Sequence, residues 1–288
     1  MAMSSQLGRS AAYAALRVRH RAGIALTDPA DPVDIAESIG VQVWYRRLPS
    51  MEGMFIQTPA PQILLSSLRP AGRTNFTCAH ELGHHWFGHA AHVDARVDGS
   101  PLLLADNEDE FQANAFATSL LMPKTTTQHG FVRCGTTPND ATPRQVLAVA
   151  HWLGVGYSTL VHHLHRNLGL LDDGCAALLL KKQPKGIVGD ELGGATGGFV
   201  VVDRFWRARP IDLQVGDVAI VEGHVAVTGA CVSISSTSGD RALVQAECPG
   251  TGHLNGGAGW SSYVRVRRLE FEGRSIFKHL EDEADAEK

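Results

Sequence analysis

Two histidines and a glutamate lie at a spacing that zinc enzymes use. His80, Glu81 and His84 form the motif HELGH inside a stretch whose apolar flanks favour a helix. Residues four apart on a helix differ by about 40° around its axis, so both imidazoles would project from one face and could clamp a divalent metal. Glu81 sits one position along and could polarise a water at the metal without being a ligand. The motif predicts a zinc site, provided that a third protein ligand exists.

The longer pattern HExxHxxGxxH does not supply that third ligand. Phe87 and Ala90 occupy the positions where the pattern has its glycine and its last histidine. His89 is one residue off, and on a helix continued past His84 it would lie about 140° around the axis. We therefore expect His89 to point away from the site, which leaves it a weaker candidate, and the metzincin interpretation fails.

A downstream amphipathic segment offers acidic side chains instead. It covers residues 107–123, carries its acids near the start and ends at a proline. Glu110 could be the third metal ligand, or it could be the returning arm of a capping box whose N-cap is Asn107. Glu108 and Asp109 are rival ligands. Spacing alone leaves these alternatives open.

The two segments together resemble the ImmA/IrrE family of metallopeptidases. Residues 73–84 read RTNFTCAHELGH where the family typically has RxRFTxAHELGH, and residues 110–123 read EFQANAFATSLLMP where it has ExxANxFAxxLLMP. Two separated motifs agree in order and spacing, which makes the resemblance specific, and it covers roughly residues 10 to 172. Asn75 and Cys78 depart from the pattern, and neither position is a predicted ligand.

The resemblance implies a zincin-like domain with zinc on His80, His84 and Glu110 and with Glu81 as general base. It also implies that the protein substrate is a helix-turn-helix repressor, cleaved to induce stress-response or mobile-element genes. The alternative is a non-catalytic zinc-binding sensor that binds a repressor or DNA without cutting it. The intact Glu81 favours the enzyme, because a structural zinc needs no general base.

The elements that must position these residues form an α+β pattern. Helical periodicity and caps precede a series of short β-favouring runs that predict a small sheet ahead of the motif helix. The predicted helices cover residues 9–22 and 32–39, and the predicted strands cover residues 41–45, 53–57 and 63–67.

The middle of the chain reads as a loop followed by two helices. Residues 124–142 are rich in threonine with glycine, proline and asparagine, which is typical of a loop. Residues 143–168 resemble a helix-turn-helix, with Gly154 ending the first helix and Ser158 capping the second. The second helix offers few basic side chains for phosphates, so we favour helical packing over direct DNA binding.

Short β-favouring runs between glycine-rich turns dominate the chain beyond residue 172 and predict a small barrel or sandwich. A segment around His224 faintly resembles NlpC/P60-like cysteine hydrolases, for which Cys175 would be the nucleophile. The usual sequence context of that nucleophile is absent, so we favour a sensory or packing domain. The predicted strands are residues 176–180, 199–202, 218–221, 225–228, 232–235, 242–246 and 263–267.

Composition describes an ordinary globular chain. Its 288 residues, 44% hydrophobic, are enough for more than one core, and we divide them into a peptidase domain (1–125), a helix-turn-helix-like segment (126–172) and a β-rich domain with an acidic tail (173–288). A net charge of -4 gives no global basic field for nucleic acid. Five cysteines without a CxxC pair, and the lack of a signal peptide or membrane span, predict the cytoplasm.

Overall fold

The computed structural model describes residues 2–57, 59–89, 93–94, 108–207, 209–256 and 260–280 and has an α+β fold. Asn107 and the acidic tail beyond residue 280 lie outside the described residues, so the predicted N-cap stays a prediction. Two compact units make up the chain: Met1–Thr126 with Glu272–Ser275, and Thr127–Phe271 with Ile276–Lys288.

The first unit contains helices around one small mixed sheet. A short strand from the far end of the chain, Gly273–Arg274, pairs antiparallel with β1; β1 is parallel to β3, and β2 is antiparallel to both β3 and β4. The elements are α1 (Ala2–Arg21), α2 (Pro32–Ser38), β1 (Gln42–Arg46), β2 (Gly53–Ile56), β3 (Gln62–Ser66), α3 (Ala71–Phe87), β4 (Val93–Asp94) and α4 (Glu108–Leu121).

Local sequence explains where α2 begins. The Asp31 side chain accepts hydrogen bonds from the backbone amides of Val33 and Asp34, at 3.0 and 3.3 Å, and Pro32 fills the first helical position, where no amide hydrogen is needed. These two residues confirm the predicted start of the helix.

Helix α3, which carries the HELGH motif, packs against both β2 and α4. Two glycines permit these approaches, because a Cβ on Gly53 would lie 2.6 Å from Thr77 Cγ2 and a Cβ on Gly83 would lie 3.1 Å from Ala113 Cα. Gly83 is therefore the residue of the motif that lets α4 come close to the two histidines.

Arg19 ties α1 to the end of α4. Its guanidinium is buried and donates to the backbone oxygens of Leu120, at 2.8 Å, and Asp28, at 2.5 Å. Leu120 belongs to the last turn of α4, where carbonyl groups lack helical partners, so the arginine satisfies one of them. Burial lowers the pKa of Arg19 to about 10, which leaves it charged at neutral pH.

Among its described residues, the second unit combines helices with two four-stranded mixed sheets. One sheet has the strand order β5-β7-β10-β9 with β5 parallel to β7, and the other has the order β6-β12-β11-β8 with β6 parallel to β12. Its elements, beginning with a helix that starts in the first unit, are α5 (Lys124–Val132), α6 (Pro143–Leu153), α7 (Tyr157–His162), α8 (Asp173–Leu180), α9 (Pro184–Ile187), β5 (Phe199–Val202), β6 (Ile211–Gln214), β7 (Val218–Glu222), β8 (Val225–Thr228), β9 (Val232–Thr237), β10 (Arg241–Ala246), β11 (Gly250–Gly256) and β12 (Ser261–Arg267).

The predicted helix-turn-helix is present as α6 and α7. A capping box between Thr142 and Gln145 starts α6, and Gly154 ends it in the left-handed conformation with φ 71°. The predicted cap of the second helix was wrong: Gly156, not Ser158, is its N-cap, and a π-helical turn, His163–Asn167, continues it.

The loop predicted at residues 124–142 was also wrong in its first half, which forms α5. Threonine favours strands and turns in isolation, yet Thr126 and Thr127 are fully buried here. The Thr126 hydroxyl donates to the Leu26 carbonyl at 2.7 Å, and Phe131 is buried on the next turns. Packing within each compact unit therefore outweighs the low helix propensity of threonine.

A third correction concerns residues 176–180, which form part of helix α8 rather than a strand. The apolar run fits either element, but the Asp172 side chain accepts a hydrogen bond from the Cys175 amide at 2.8 Å and caps a helix. The other predicted strands are confirmed to within two residues at each end. The three-part division at residues 125 and 172 stays a prediction, because compactness does not test independent folding.

Candidate metal centre

Three side chains converge where α3 meets α4. His80 and His84 lie one turn apart on α3, and their Nε2 atoms are 2.9 Å apart. Glu110, in the first turn of α4, places one carboxylate oxygen 3.4 Å from His80 Nε2 and the other 3.2 Å from His84 Nε2. All three residues are buried, and their ligand atoms lie within 4.8 Å of one another. In the described part of the chain, this group could hold a metal ion.

The charges of the group suit a divalent cation. Burial lowers the pKa of His84, which keeps its imidazole neutral and its lone pair available. Burial alone would raise the pKa of Glu110, but hydrogen bonds with His80 and His84 outweigh it and lower that pKa below its ordinary value. The carboxylate is therefore ionised. Two imidazoles and one carboxylate form a donor set that fits a catalytic zinc ion, which would bind once neither Nε2 atom carries a hydrogen.

Asn114 orients the first histidine. Its side-chain oxygen lies 2.9 Å from His80 Nδ1, and since an amide oxygen only accepts, His80 Nδ1 carries the hydrogen and donates it. The Nε2 lone pair of His80 then faces the group. We did not predict this role for Asn114, although it lies four residues after Glu110 and so faces the same side of α4.

His89 does not point away, contrary to our expectation. Helix α3 ends at Phe87, and Gly88 takes the left-handed conformation with φ 69°, so the chain turns back instead of continuing the helix. His89 Nδ1 consequently lies 3.0 Å from His84 Nδ1, the ring nitrogen that does not face His80 and Glu110. It contacts a member of the group without belonging to it.

The other acidic candidates lie differently from Glu110. The Glu108 side chain is exposed, and the Asp109 side chain is 59% exposed and 3.4 Å from His89 Nε2. Glu81, the predicted base, is 1% exposed on α3 beside His80. Of the acidic residues near the start of α4, Glu110 is the one that the structure brings into the buried group.

An ion pair anchors the start of the motif helix. Glu52 is buried just before β2, and Arg73 Nη2 lies 2.5 Å from its Oε1 atom. The Thr77 hydroxyl donates to Glu52 Oε2 at 3.4 Å. These contacts give Arg73 and Thr77 a structural role, because they fix α3 against the sheet.

The arrangement around Cys175 does not favour a nucleophile. Desolvation and the Asp172 carboxylate raise the pKa of the Cys175 thiol, whereas a nucleophilic cysteine needs a lowered pKa. Its thiol donates to the Asn139 carbonyl at 3.7 Å. His224 is an exposed residue immediately before β8. This part of the second unit gives the cysteine-hydrolase alternative no support.

A small sheet, a motif helix and a second helix that carries the acidic residue are consistent with a zincin-like domain. A comparison with family models then shows that residues 36–165 match the IrrE N-terminal-like domain, a peptidase family. This stretch of the chain is therefore similar to that domain, and the resemblance to the ImmA/IrrE family is confirmed over that range. A comparison with curated proteins gives no match. Within the described residues, no helix has the length and apolar character needed to cross a membrane.

Proposed function

We propose that this chain is a zinc-dependent endopeptidase of the cytoplasm. The observation that carries the proposal is the buried group of His80, His84 and Glu110, in which two imidazole nitrogens and an ionised carboxylate converge within 4.8 Å. A purely packing role for three buried polar residues would not require two imidazoles to turn their Nε2 atoms toward one carboxylate. The peptidase-family match over the same residues supports this interpretation.

His80, His84 and Glu110 are the residues that would hold zinc. When bound by three protein ligands, zinc supplies a Lewis acid that polarises a peptide carbonyl and lowers the pKa of water. Asn114 keeps His80 in the tautomer that leaves Nε2 as the ligand atom. Glu81 lies between the two histidines in sequence and is buried beside them, where its carboxylate would accept a proton from the attacking water and pass it to the leaving amine.

For the substrate we propose a helix-turn-helix repressor whose cleavage induces a stress-response or mobile-element gene set. The support for this class is the resemblance of residues 73–84 and 110–123 to the ImmA/IrrE motifs. The competing function is a sensor that binds zinc and a repressor, or DNA, without cutting. Glu81 separates the two, because binding needs the metal ligands but not the base.

The test uses a repressor encoded beside the gene for this chain. Glu81→Gln keeps the side-chain shape and removes the base, so the purified variant should retain zinc while cleavage falls by at least about a hundredfold. Zinc content and repressor fragments are measured side by side for wild type and variant. If wild type leaves every supplied repressor intact while Glu81→Gln still relieves repression in cells, the sensor replaces the peptidase.

A further inference from the structure

The two ring nitrogens of His84 face different partners. Its Nε2 atom lies 2.9 Å from His80 Nε2 and 3.2 Å from Glu110 Oε1, inside the buried group. Its Nδ1 atom lies 3.0 Å from Nδ1 of His89, whose side chain is 8% exposed. A histidine thus occupies the position where metal-binding imidazoles commonly have a carboxylate, a carbonyl or water.

The hydrogen-bond directions along this contact follow from the ligand set. If His84 offers the Nε2 lone pair to a metal, its neutral ring carries the hydrogen on Nδ1. That hydrogen is donated to His89, whose Nδ1 must then be the acceptor. A neutral His89 with a lone pair on Nδ1 carries its own hydrogen on Nε2.

The partners of the other ring nitrogen of His89 agree with this assignment. Its Nε2 atom lies 3.2 Å from Gln112 Oε1 and 3.4 Å from Asp109 Oδ1, and both oxygens are acceptors. Both residues come from the first turns of α4, the helix that also supplies Glu110. The hydrogen bonds therefore run in one direction, from His84 to His89 and on to α4.

We infer that His89 is a positioning residue for the proposed metal centre: it accepts the Nδ1 hydrogen of His84 and thereby fixes the tautomer and ring orientation in which His84 Nε2 binds the metal. The inference rests on the proposed zinc site but not on peptidase activity. It is the counterpart of the Asn114 contact with His80, so each histidine of the motif has its own orienting partner.

Two features hold His89 in place. Gly88 takes a positive φ of 69° and returns the chain toward α3, and the ring of Phe87 stacks on that of His89 with centroids 5.7 Å apart and an angle of 23°. His89 is not itself a member of the ligand group, because its Nδ1 atom is directed at the outer nitrogen of His84.

Two substitutions separate hydrogen bonding from packing. His89→Phe keeps a ring that can stack on Phe87 but removes the acceptor, so His84 Nδ1 loses its partner. His89→Asn is the matched control, because the Asn side-chain oxygen is as many bonds from Cα as His Nδ1 and can accept the same hydrogen. Zinc affinity of the full chain is measured by competition with a chromophoric chelator, and thermal unfolding of the metal-free variants checks that both fold.

Zinc affinity should fall by about 10- to 100-fold in His89→Phe, as for the loss of other outer partners of metal ligands, and His89→Asn should recover most of it. The cobalt-substituted proteins should keep the absorption spectrum of the wild-type ligand set. Long-range ¹H–¹⁵N NMR of the zinc-loaded wild type should show hydrogen on Nδ1 of His84 and on Nε2 of His89.

Three results would overturn the inference. Equal zinc affinity of His89→Phe and wild type would show that the contact does not position His84, and hydrogen on Nδ1 of His89 in the zinc form would reverse its role. A cobalt spectrum showing one fewer ligand in His89→Phe would make His89 a ligand instead. Failure of the wild type to bind zinc would refute the metal centre itself, whereas zinc binding without cleavage would refute only the proposed peptidase.

Discussion

Replacing Gly83 with alanine should disturb the candidate site without touching any side chain in it. The added Cβ would lie 3.1 Å from Ala113 Cα, 3.2 Å from Phe116 Cδ1 and 3.3 Å from the Ala113 carbonyl oxygen. Carbon atoms make favourable contact at about 3.5–4.0 Å, so α4 would have to retreat by about 0.4–0.9 Å at the closest point. Metal–ligand distances tolerate only about 0.2 Å, and Glu110 moves with α4, so zinc affinity should fall by more than about tenfold.

Gly8→Ala is a matched control, because it makes the same chemical change on another helix of the same unit. A Cβ on Gly8 would meet Phe111 Cε1 at 3.9 Å, an ordinary contact. Both substitutions gain about 1 kcal/mol of helix propensity, but Gly83→Ala also incurs an overpacking cost of about 1–3 kcal/mol. The free energy of unfolding should therefore rise by up to about 1 kcal/mol in Gly8→Ala and stay level or fall by about 2 kcal/mol in Gly83→Ala.

Urea unfolding of the metal-free proteins measures the difference in unfolding free energy. Competition with a chelator measures the difference in zinc affinity. Zinc affinity of Gly8→Ala should equal that of wild type. The reasoning would be refuted if Gly83→Ala were stabilised as much as Gly8→Ala and bound zinc as tightly as wild type, since α4 would then not depend on the glycine for its approach to the histidines.

Two further predictions concern metal removal and pH. Removing zinc with a chelator should lower the unfolding free energy of wild type by about 4 kcal/mol if zinc is present at a thousand times its dissociation constant. The same treatment should lower that of Glu110→Ala by less, because this variant lacks one of the three ligands. Scanning calorimetry of both proteins tests this, and an equal response would return Glu110 to a capping role. The largely buried His151 accepts a hydrogen bond from the Val201 amide at 2.8 Å, and burial, with Arg209, lowers its pKa to about 4 from 6.5. The unfolded chain then takes up the proton first, so this contribution to the unfolding free energy is complete above pH 6.5 and falls by up to about 3 kcal/mol toward pH 4. Urea unfolding between pH 6.5 and pH 4 should show a smaller fall in unfolding free energy for His151→Asn than for wild type. An equal fall in the two proteins would rule out His151 as its cause.

Local signals in the sequence predicted the parts of the fold whose causes are local. Asp31 and Pro32 start α2 through contacts within four residues, and Thr142, Gln145 and Gly154 bound α6 in the same way. Strands β1 and β2 alternate buried and less buried positions, so their period could be read directly.

The errors had both distant and local causes. Nothing in the run of threonines at the start of α5 predicts that Thr126 will donate to a carbonyl a hundred residues earlier and that Arg19 will lie 3.3 Å from its hydroxyl. The strand predicted at residues 176–180 was wrong for a local reason. The run is apolar enough for a strand or a helix, and the Asp172 cap decides between them.

The candidate site shows the same division. The four-residue spacing correctly placed the two imidazoles on one face of α3, because that spacing depends only on helix geometry. The packing of α4 against Gly83 brings Glu110 close to the histidines, and spacing alone does not encode that packing. The preference for Glu110 over its neighbours came from the family resemblance.

His89 shows that a motif defined by helical spacing omits residues that contact its histidines. The prediction of a 140° offset assumed that α3 continues, but Gly88 ends it with a positive φ that side chains other than glycine rarely adopt. A Cβ on Gly88 would meet no atom within 4 Å, so its conformation rather than crowding calls for glycine. The place where the helix stops therefore matters as much as the spacing within it, because termination at Phe87 turns a residue expected on the far side into the hydrogen-bond partner of His84.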